Sequence, residues 1–316
     1  MLSGLVIQGS RNIFTVKSDG DEIEFICRIK GKVLKGFEGY YNPLAPGDRV
    51  SFDRDPQNPL QGLITGIEER RNMFTRLNRL QKGRDSVSSG VVQVIAANVD
   101  LLLCVTSPAS PPFRPRFLDR LLLQAEIAGI PPVIVCNKAD LQDRDINAAE
   151  RLSDFIRIGY PVLFVSALTG EGMDVLYDTI KNRFSVLLGQ SGVGKSSLIK
   201  ALIPDLTIRV GDLNEKYDRG KHTTTMSMML EVPGSAGKTF IIDTPGIRRF
   251  VPEGLSPQDV MLYMREFAPL FGLCTYGASC SHRSEAGCKI MEAVACGEIH
   301  EDRYESFLRI QEGLDD

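Results

Sequence analysis

The sequence predicts a multidomain protein: an N-terminal all-β barrel, a central α/β domain on a parallel sheet, and a C-terminal α-helical region. Three observations predict this order. Short β-rich runs separated by turn signals fill residues 1–68. Buried-type strands then alternate with helix-spaced apolar residues over residues 85–250. Four of the seven cysteines crowd into residues 274–296, beside helical patterns in 251–316.

The barrel is predicted from strand-like runs at residues 5–7, 13–16, 23–29, 50–52 and 63–67. Five short strands in this length suit an OB-fold, and an SH3-like barrel fits the pattern nearly as well. Residues 69–84 follow as a basic linker. Between Arg70 and Arg84 there are six basic residues and no acidic one. From the residues alone, this run is best interpreted as a solvated connection.

The central domain is predicted from buried-type strands at residues 99–105, 132–136, 162–165, 184–188 and 239–242. Apolar residues at helical spacing over 117–128 and a helix-like stretch at 172–182 separate them. Such alternation indicates a parallel sheet with helices on its faces.

A phosphate-binding loop is predicted at residues 189–196, which fit G-x-x-x-x-G-K-[ST] between a strand and the helix-like stretch 197–202. Backbone N–H groups of such a loop bind phosphate, its lysine reaches the outer phosphates, and its hydroxyl binds Mg²⁺. Ser196 is the predicted magnesium ligand. The candidate nucleotide-binding residues are Gly189, Gln190, Ser191, Gly192, Val193, Gly194, Lys195, Ser196 and Ser197.

A second phosphate-side segment, Asp243-Thr244-Pro245-Gly246, ends the strand at 239–242. A carboxylate at a strand tip can hold Mg²⁺ through water, and the N–H of a glycine can sense a γ-phosphate. Asp243 is therefore a predicted magnesium ligand, and Gly246 is a predicted nucleotide contact.

Two segments predict guanine recognition. Asn137-Lys138-Ala139-Asp140 follows one strand, and Ser166-Ala167 follows the next. The Asp140 carboxylate can accept hydrogen bonds from both the ring N–H and the exocyclic amine of guanine, whereas adenine offers the opposite pattern. Asp140 thus disfavours an ATPase. The candidate base contacts are Asn137, Lys138, Asp140, Ser166 and Ala167.

The order of these motifs is the decisive feature. In Ras-like GTPases the phosphate loop comes first and the base-recognition motifs come last, whereas here the base motifs precede residues 189–196. The central domain is therefore predicted to be circularly permuted, which a domain with neighbouring termini tolerates.

A metal site is predicted from Cys274, Cys280, His282 and Cys288, spaced C-x₅-C-x-H-x₅-C. Three thiolates and one imidazole suit a closed, structural, tetrahedral Zn²⁺ site. Chance clustering of reduced cysteines is the alternative, and Cys296 is a spare ligand.

Composition narrows the protein class. Net charge is −3, no apolar run approaches the ~18 residues of a membrane helix, and the start shows no secretion signal. These features, together with an odd number of cysteines, predict a protein of the reducing cytoplasm that does not bind membranes.

The chain resembles the RsgA family, also called YjeQ, which are circularly permuted GTPases of small-ribosomal-subunit maturation. The residues that carry the resemblance are Arg70-Arg71-Asn72, the permuted motifs, Arg219 to Thr225, and the cysteine–histidine cluster. The resemblance implies that 220–225 are switch I, with Thr224 closing on Mg²⁺. It also implies that the basic run at 70–84 and the cluster Arg114, Arg116 and Arg120 contact rRNA.

Ile247 stands where a Ras-like enzyme has a water-orienting Gln. An aliphatic side chain cannot orient water, so intrinsic hydrolysis should be slow. We hypothesise that His222 takes this catalytic role, against the alternative of a solvated histidine.

The resulting expectation is a GTP hydrolase of late small-subunit maturation, stimulated by that subunit, bound to its rRNA and released on hydrolysis. GTP with Mg²⁺ and one structural Zn²⁺ are the expected cofactors, GDP is the product, and the protein is expected to be a monomer. The alternative is a zinc-stabilised RNA-binding GTP switch with negligible hydrolysis.

Overall fold

A computed structural model of the chain describes residues 1–10, 12–30, 40–78, 91–144, 146–206, 227–234, 238–244 and 255–313. The chain divides into two compact units. The first contains residues 1–102, 173–188 and 195–247, and the second contains residues 103–172, 189–194 and 248–316.

A closed five-stranded barrel opens the first unit. Its strands are β1 (Leu2–Ser10), β2 (Ile13–Ser18), β3 (Glu24–Ile29), β4 (Arg49–Arg54) and β5 (Gln61–Ile67). They pair in the ring order β1-β2-β3-β5-β4, and β4 returns to β1. The β3–β5 pair is parallel and the other pairs are antiparallel. This Greek-key ring is an OB-fold, which confirms that prediction over the SH3-like alternative.

Alternation along the strands builds the barrel core. In β2 and β4, inward residues such as Phe14, Val16, Val50 and Phe52 are fully buried, whereas their neighbours are partly or fully exposed. Phe25 packs against Phe52 with ring centroids 5.2 Å apart. Burying several aromatic rings stabilises a barrel of this small size.

A two-stranded hairpin, β6 (Met73–Asn78) and β7 (Val91–Ala97), was missed by the sequence analysis. β6 lies inside the segment predicted as a basic linker. Its entry is anchored by Arg70, which donates two hydrogen bonds to the fully buried Asp48, 2.7 and 2.8 Å long. The basic residues of this segment led to the linker prediction, although Phe74 of β6 is fully buried.

The first unit also carries helices α3 (Met173–Ile180) and α4 (Lys195–Leu202) and strands β11 (Phe184–Gly189), β12 (Met228–Glu231) and β13 (Phe240–Asp243). β11 and β13 are parallel, and β12 is antiparallel to β13. Met228 of β12 lies opposite Asp243 on one side and opposite Gln8 of β1 on the other. The barrel is therefore joined directly to this sheet.

The second unit contains β8 (Leu101–Thr106, whose first two residues belong to the first unit), α1 (Pro115–Ile127), β9 (Pro132–Asn137), α2 (Ile146–Arg157) and β10 (Val162–Val165). β9 and β10 are parallel, and β8 lies next to β9. All six residues of β9 are buried, as expected for a strand covered on both faces. The strand and helix alternation predicted for this part of the chain is confirmed.

The C-terminal region begins with 3-10 helices at Pro257–Tyr263, Ala268–Leu270 and Gly277–Ser279. α5 (Lys289–Ala295) and α6 (Glu301–Gln311) follow. Ser256 caps the first of these segments by accepting a hydrogen bond from the N–H of Asp259. The segment remains a 3-10 turn, since Met264 is already extended (φ −114°, ψ 112°).

Phe307 of α6 stacks on Phe267 at a centroid distance of 4.7 Å, at the centre of the C-terminal core. No helix in the described part of the chain has the length and apolar character that crossing a membrane requires.

A buried ion-pair cluster holds α6 against α1. Arg303 is 1% exposed and donates to Asp119 of α1 at 2.7 Å and to Glu266 at 2.5 and 2.9 Å. Burial alone would lower the pKa of Arg303, but attraction to the two carboxylates outweighs it and raises that pKa above its usual value. The charge is therefore kept in the interior.

Candidate nucleotide site and metal centre

Asn137, the last residue of β9, ties three segments of the second unit together. Its Nδ2 donates to the carbonyl of Val193 at 2.9 Å, and its Oδ1 accepts from the N–H of Ala167 at 3.1 Å. The side chain is 1% exposed, so both bonds are shielded from water. The predicted base-recognition segments and the predicted phosphate loop are thus neighbours in the fold.

Asp140 is held by the segment that follows β10. The hydroxyl of Ser166 donates to Asp140 Oδ1 at 2.7 Å and accepts from the N–H of Thr169 at 3.2 Å. Ser166 is completely buried, whereas Asp140 is exposed. This arrangement orients a carboxylate that faces solvent, which is the geometry that recognition of a base edge requires.

Lys138 has a positive φ of 64° and reaches back to the phosphate loop. Its ammonium donates to the carbonyl of Gly192 at 2.8 Å and to the carbonyl of Ser110. The loop after β8, with Ser110 and Pro111, was missed as part of the site. Its repeated Ser-Pro pattern signals only a turn and gives no hint of this contact.

Two glycines of the phosphate loop are required by close approach. Gly194 has φ 91°, and a Cβ there would lie 2.3 Å from Asn137 Nδ2. A Cβ at Gly189 would lie 2.4 Å from the carbonyl oxygen of Val105. Glycine alone permits this backbone path.

Lys195, Ser196 and Ser197 form the first turn of α4, which follows the loop directly. Lys195 is 7% exposed, and burial lowers the pKa of its ammonium, although attraction to Asp243 partly offsets that effect. Asp243 is the last residue of β13. Next to it, the Thr244 hydroxyl donates to the carbonyl of Leu187 at 2.9 Å and fixes the end of the strand. A lysine in the first turn of α4 and a carboxylate at the end of β13 suit phosphate and Mg²⁺.

Three predicted residues, His222, Thr224 and Gly246, lie outside the described residues. Their roles stay predictions.

The four predicted metal ligands are brought together and buried. Their ligand atoms all lie within 4.8 Å of one another. His282 Nδ1 lies 3.6 Å from Cys274 Sγ and 3.5 Å from Cys288 Sγ, and the two sulfurs are 3.9 Å apart. Tetrahedral Zn²⁺, with bonds of about 2.3 Å to sulfur and about 2.0–2.1 Å to nitrogen, requires separations of about 3.8 and 3.6 Å. The cluster can therefore bind one metal ion, and the donor set fits zinc.

Cys296, the spare ligand, is exposed and lies outside this cluster. The five residues between Cys274 and Cys280 include the 3-10 turn Gly277–Ser279.

Some of the basic residues predicted to contact RNA are not exposed to solvent. Arg70 has a side chain only 8% exposed and is paired with Asp48, and Arg120 is 9% exposed. Arg116 pairs with Glu305 at 2.5 Å on the surface. The structure thus corrects the expectation for Arg70 and Arg120, because a buried guanidinium cannot track a phosphate backbone.

Comparison with known proteins gives a consistent result. Residues 67–252 match the model of the RsgA GTPase family. A curated relative from Gemmatimonas aurantiaca, "Small ribosomal subunit biogenesis GTPase RsgA", is 37% identical and covers 99% of this chain and 97% of its own. A protein of the same name from Chlorobaculum tepidum is 36% identical over 99% and 98%.

Among solved structures, YjeQ from Thermotoga maritima aligns with a TM-score of 0.74 at 28% identity, covering 99% of this chain and 98% of that one. YloQ, described as a circularly permuted GTPase, aligns with a TM-score of 0.65 at 24% identity, covering 99% and 94%. The second likeness supports the fold.

Proposed function

The chain belongs to the RsgA family of GTPases, and on this premise we propose that it hydrolyses GTP during late maturation of the small ribosomal subunit. One observation carries the nucleotide part of the proposal. Asn137 bonds both Val193 of the phosphate loop and Ala167 of the second base-recognition segment. The names of the curated relatives support the ribosomal part.

GTP is bound through its guanine base and through its phosphates. Asp140 accepts hydrogen bonds from the guanine edge, Ser166 orients that carboxylate, and the Ala167 segment meets the guanine oxygen. Lys138 supports the loop that holds the phosphates. The loop residues 189–194 bind the phosphates through backbone N–H groups, together with Lys195 and the first turn of α4.

Mg²⁺ bound with GTP would neutralise the negative charge that develops on the phosphoryl group during transfer. Ser196, Asp243 and Thr224 are the residues that would hold it. Gly246 contacts the γ-phosphate. His222 orients the attacking water in place of the Gln that Ile247 replaces.

The physiological partner is the small ribosomal subunit with its rRNA. The protein binds it in the cytoplasm as a monomer and does not bind membranes. The proposed domains are a barrel (1–68), a basic linker (69–84), a permuted GTPase domain (85–250) and a zinc domain (251–316). In this proposal the protein docks on the small subunit through the barrel and the zinc domain. GTP maintains the docked state, and hydrolysis releases the protein as GDP forms. The cysteine–histidine cluster holds one structural Zn²⁺.

The deciding experiment measures GTP turnover by the purified chain with and without small subunits, using wild type and His222→Ala. We expect slow hydrolysis alone, strong stimulation by subunits, and loss of that stimulation in the variant. Stimulation that persists in His222→Ala removes the histidine from the mechanism. Tight GTP binding with no turnover under either condition identifies the alternative, an RNA-binding GTP switch.

A further inference from the structure

The metal ligand His282 occupies an unusual backbone conformation. Its φ is 61°, in the left-handed region that few residues other than glycine adopt. Such a conformation persists only where surrounding contacts hold it. Cys280 and His282 are separated by one residue and supply two of the four clustered ligand atoms, so the backbone between them sets how both side chains face one ion.

One carboxylate holds the backbone on both sides of His282. Glu285 Oε1 accepts from the N–H of Ser281 at 2.7 Å. Its Oε2 accepts from the N–H of Arg283 at 3.0 Å and from that of Ser284 at 3.1 Å. Three N–H groups that bracket the histidine thus converge on a single side chain.

A second contact comes from a distant part of the chain. The hydroxyl of Tyr304, on α6, donates to the carbonyl of His282 at 2.5 Å. Tyr304 is partly buried against the C-terminal core, so its position is fixed by packing. With the peptide groups before and after His282 both held, the imidazole has little freedom to leave the cluster.

From these contacts we infer that Glu285 and Tyr304 are positioning residues for the metal site, orienting the loop that presents His282 Nδ1 to the ion. The inference rests on the proposed zinc site. The hydrogen bonds described for the two side chains go to backbone groups and not to the ligand atoms. Each acts by holding the peptide groups around the histidine, in the way that outer partners commonly orient metal ligands.

The test measures Zn²⁺ affinity of the full chain by competition with a chelator, in Glu285→Gln and Tyr304→Phe. An amide has one acceptor oxygen where the carboxylate has two, and phenylalanine removes only the hydroxyl. We expect each variant to bind Zn²⁺ about 10- to 100-fold more weakly, as for other outer partners of metal ligands. The absorption spectrum of the Co²⁺-loaded variants should also depart from the wild-type spectrum.

Matched controls are Glu292→Gln and Tyr276→Phe, which make the same chemical changes at exposed positions of the same module. Both should keep wild-type affinity. Glu285→Asp, which keeps the charge on a shorter side chain, should restore part of what Glu285→Gln loses. Nucleotide affinity serves as the check that each variant is folded elsewhere.

The outcomes are distinct. If wild type binds no Zn²⁺, the proposed metal site fails and the inference fails with it. If wild type binds Zn²⁺ and both variants match it in affinity and in Co²⁺ spectrum, the inference alone is wrong. If Glu285→Gln loads no metal while Glu285→Asp does, the positioning role is supported.

Discussion

In the proposed nucleotide site, specificity for guanine depends on the carboxylate of Asp140 and on the hydroxyl of Ser166 that orients it. Replacing Asp140 by Asn exchanges acceptor for donor at the base edge. The variant should lose about 1–3 kcal/mol of binding to GTP, or about 5- to 150-fold, as for mispaired base contacts elsewhere. Xanthosine triphosphate, which carries an oxygen in place of the amine, should bind better than GTP. Competition binding with both nucleotides measures the change in base preference.

Asp178→Asn, at an exposed position on α3, is the control for a general effect of removing a charge. Equal loss in both variants, or unchanged GTP affinity in Asp140→Asn, would contradict the assigned role.

Residues with a motif were predictable one by one, whereas residues that act through packing were not. Asn137, Asp140 and Ser166 were predicted because each belongs to a recognisable motif directly after a strand, and the structure brings these segments together. Glu285 escaped notice because its partners are backbone N–H groups, which leave no mark in the sequence. Arg120 was misjudged because its burial depends on the tertiary packing of α1.

Among the elements, the strand β12 joins the barrel to the nucleotide-binding sheet. Lys17 of β2 strengthens this junction by pairing with Glu231 of β12 at 2.6 Å and with Glu22 at 2.7 Å. Lys238, just before β13, pairs with Glu22 as well. These four charges form a network at a partly exposed surface.

Replacing Lys17 by Met should therefore lower the free energy of unfolding of the chain by at most about 1 kcal/mol at low salt. The loss should shrink as salt is added, because screening weakens the pairs that wild type retains. Urea denaturation at two ionic strengths measures both. Lys30→Met, at an exposed lysine that directly follows β3, is the control. A loss independent of salt would point to packing of the lysine stem instead.

Most elements were predicted from periodicity, and the exceptions have a physical cause. The barrel strands and β9 to β11 were found because their apolar pattern is set by burial on one or both faces. β6 was missed because it lies in a run rich in basic residues, and without it the apolar β7 had no predicted partner. The turn at Pro257–Tyr263 shows that a capped start predicts where a helix begins but not which kind it is.

At the scale of the whole molecule, the second unit depends on Arg303, which pairs with Asp119 of α1 and with Glu266. Arg303→Met should destabilise the chain by about 3–5 kcal/mol, since it leaves two carboxylates in a low-dielectric interior without their partner. Pairing it with Asp119→Leu should recover part of the loss. Urea denaturation of the single and double variants measures the difference.

Arg116→Met offers a matched comparison, because Arg116 joins the same two helices through an exposed pair with Glu305. That change should cost at most about 1 kcal/mol. Similar losses for Arg116→Met and Arg303→Met would show that burial does not amplify the interaction.

The permuted order of motifs was readable from the sequence because each motif carries its own signature. Within the second unit, the hydrogen bonds of Asn137 show that the segments carrying these motifs are adjacent. The buried cluster around Arg303 could not be predicted from the sequence, because Glu266 and Arg303 each lie more than 140 positions after Asp119 in the chain.

Two neighbouring residues of α6 make different contacts. Arg303 pairs with Asp119 of α1, and Tyr304 donates a hydrogen bond to the carbonyl of His282. Undocking of this one helix would break the pairing with α1 and the contact with the carbonyl of His282 together. The packing of the second unit and the setting of the proposed metal site should therefore be lost in a single step.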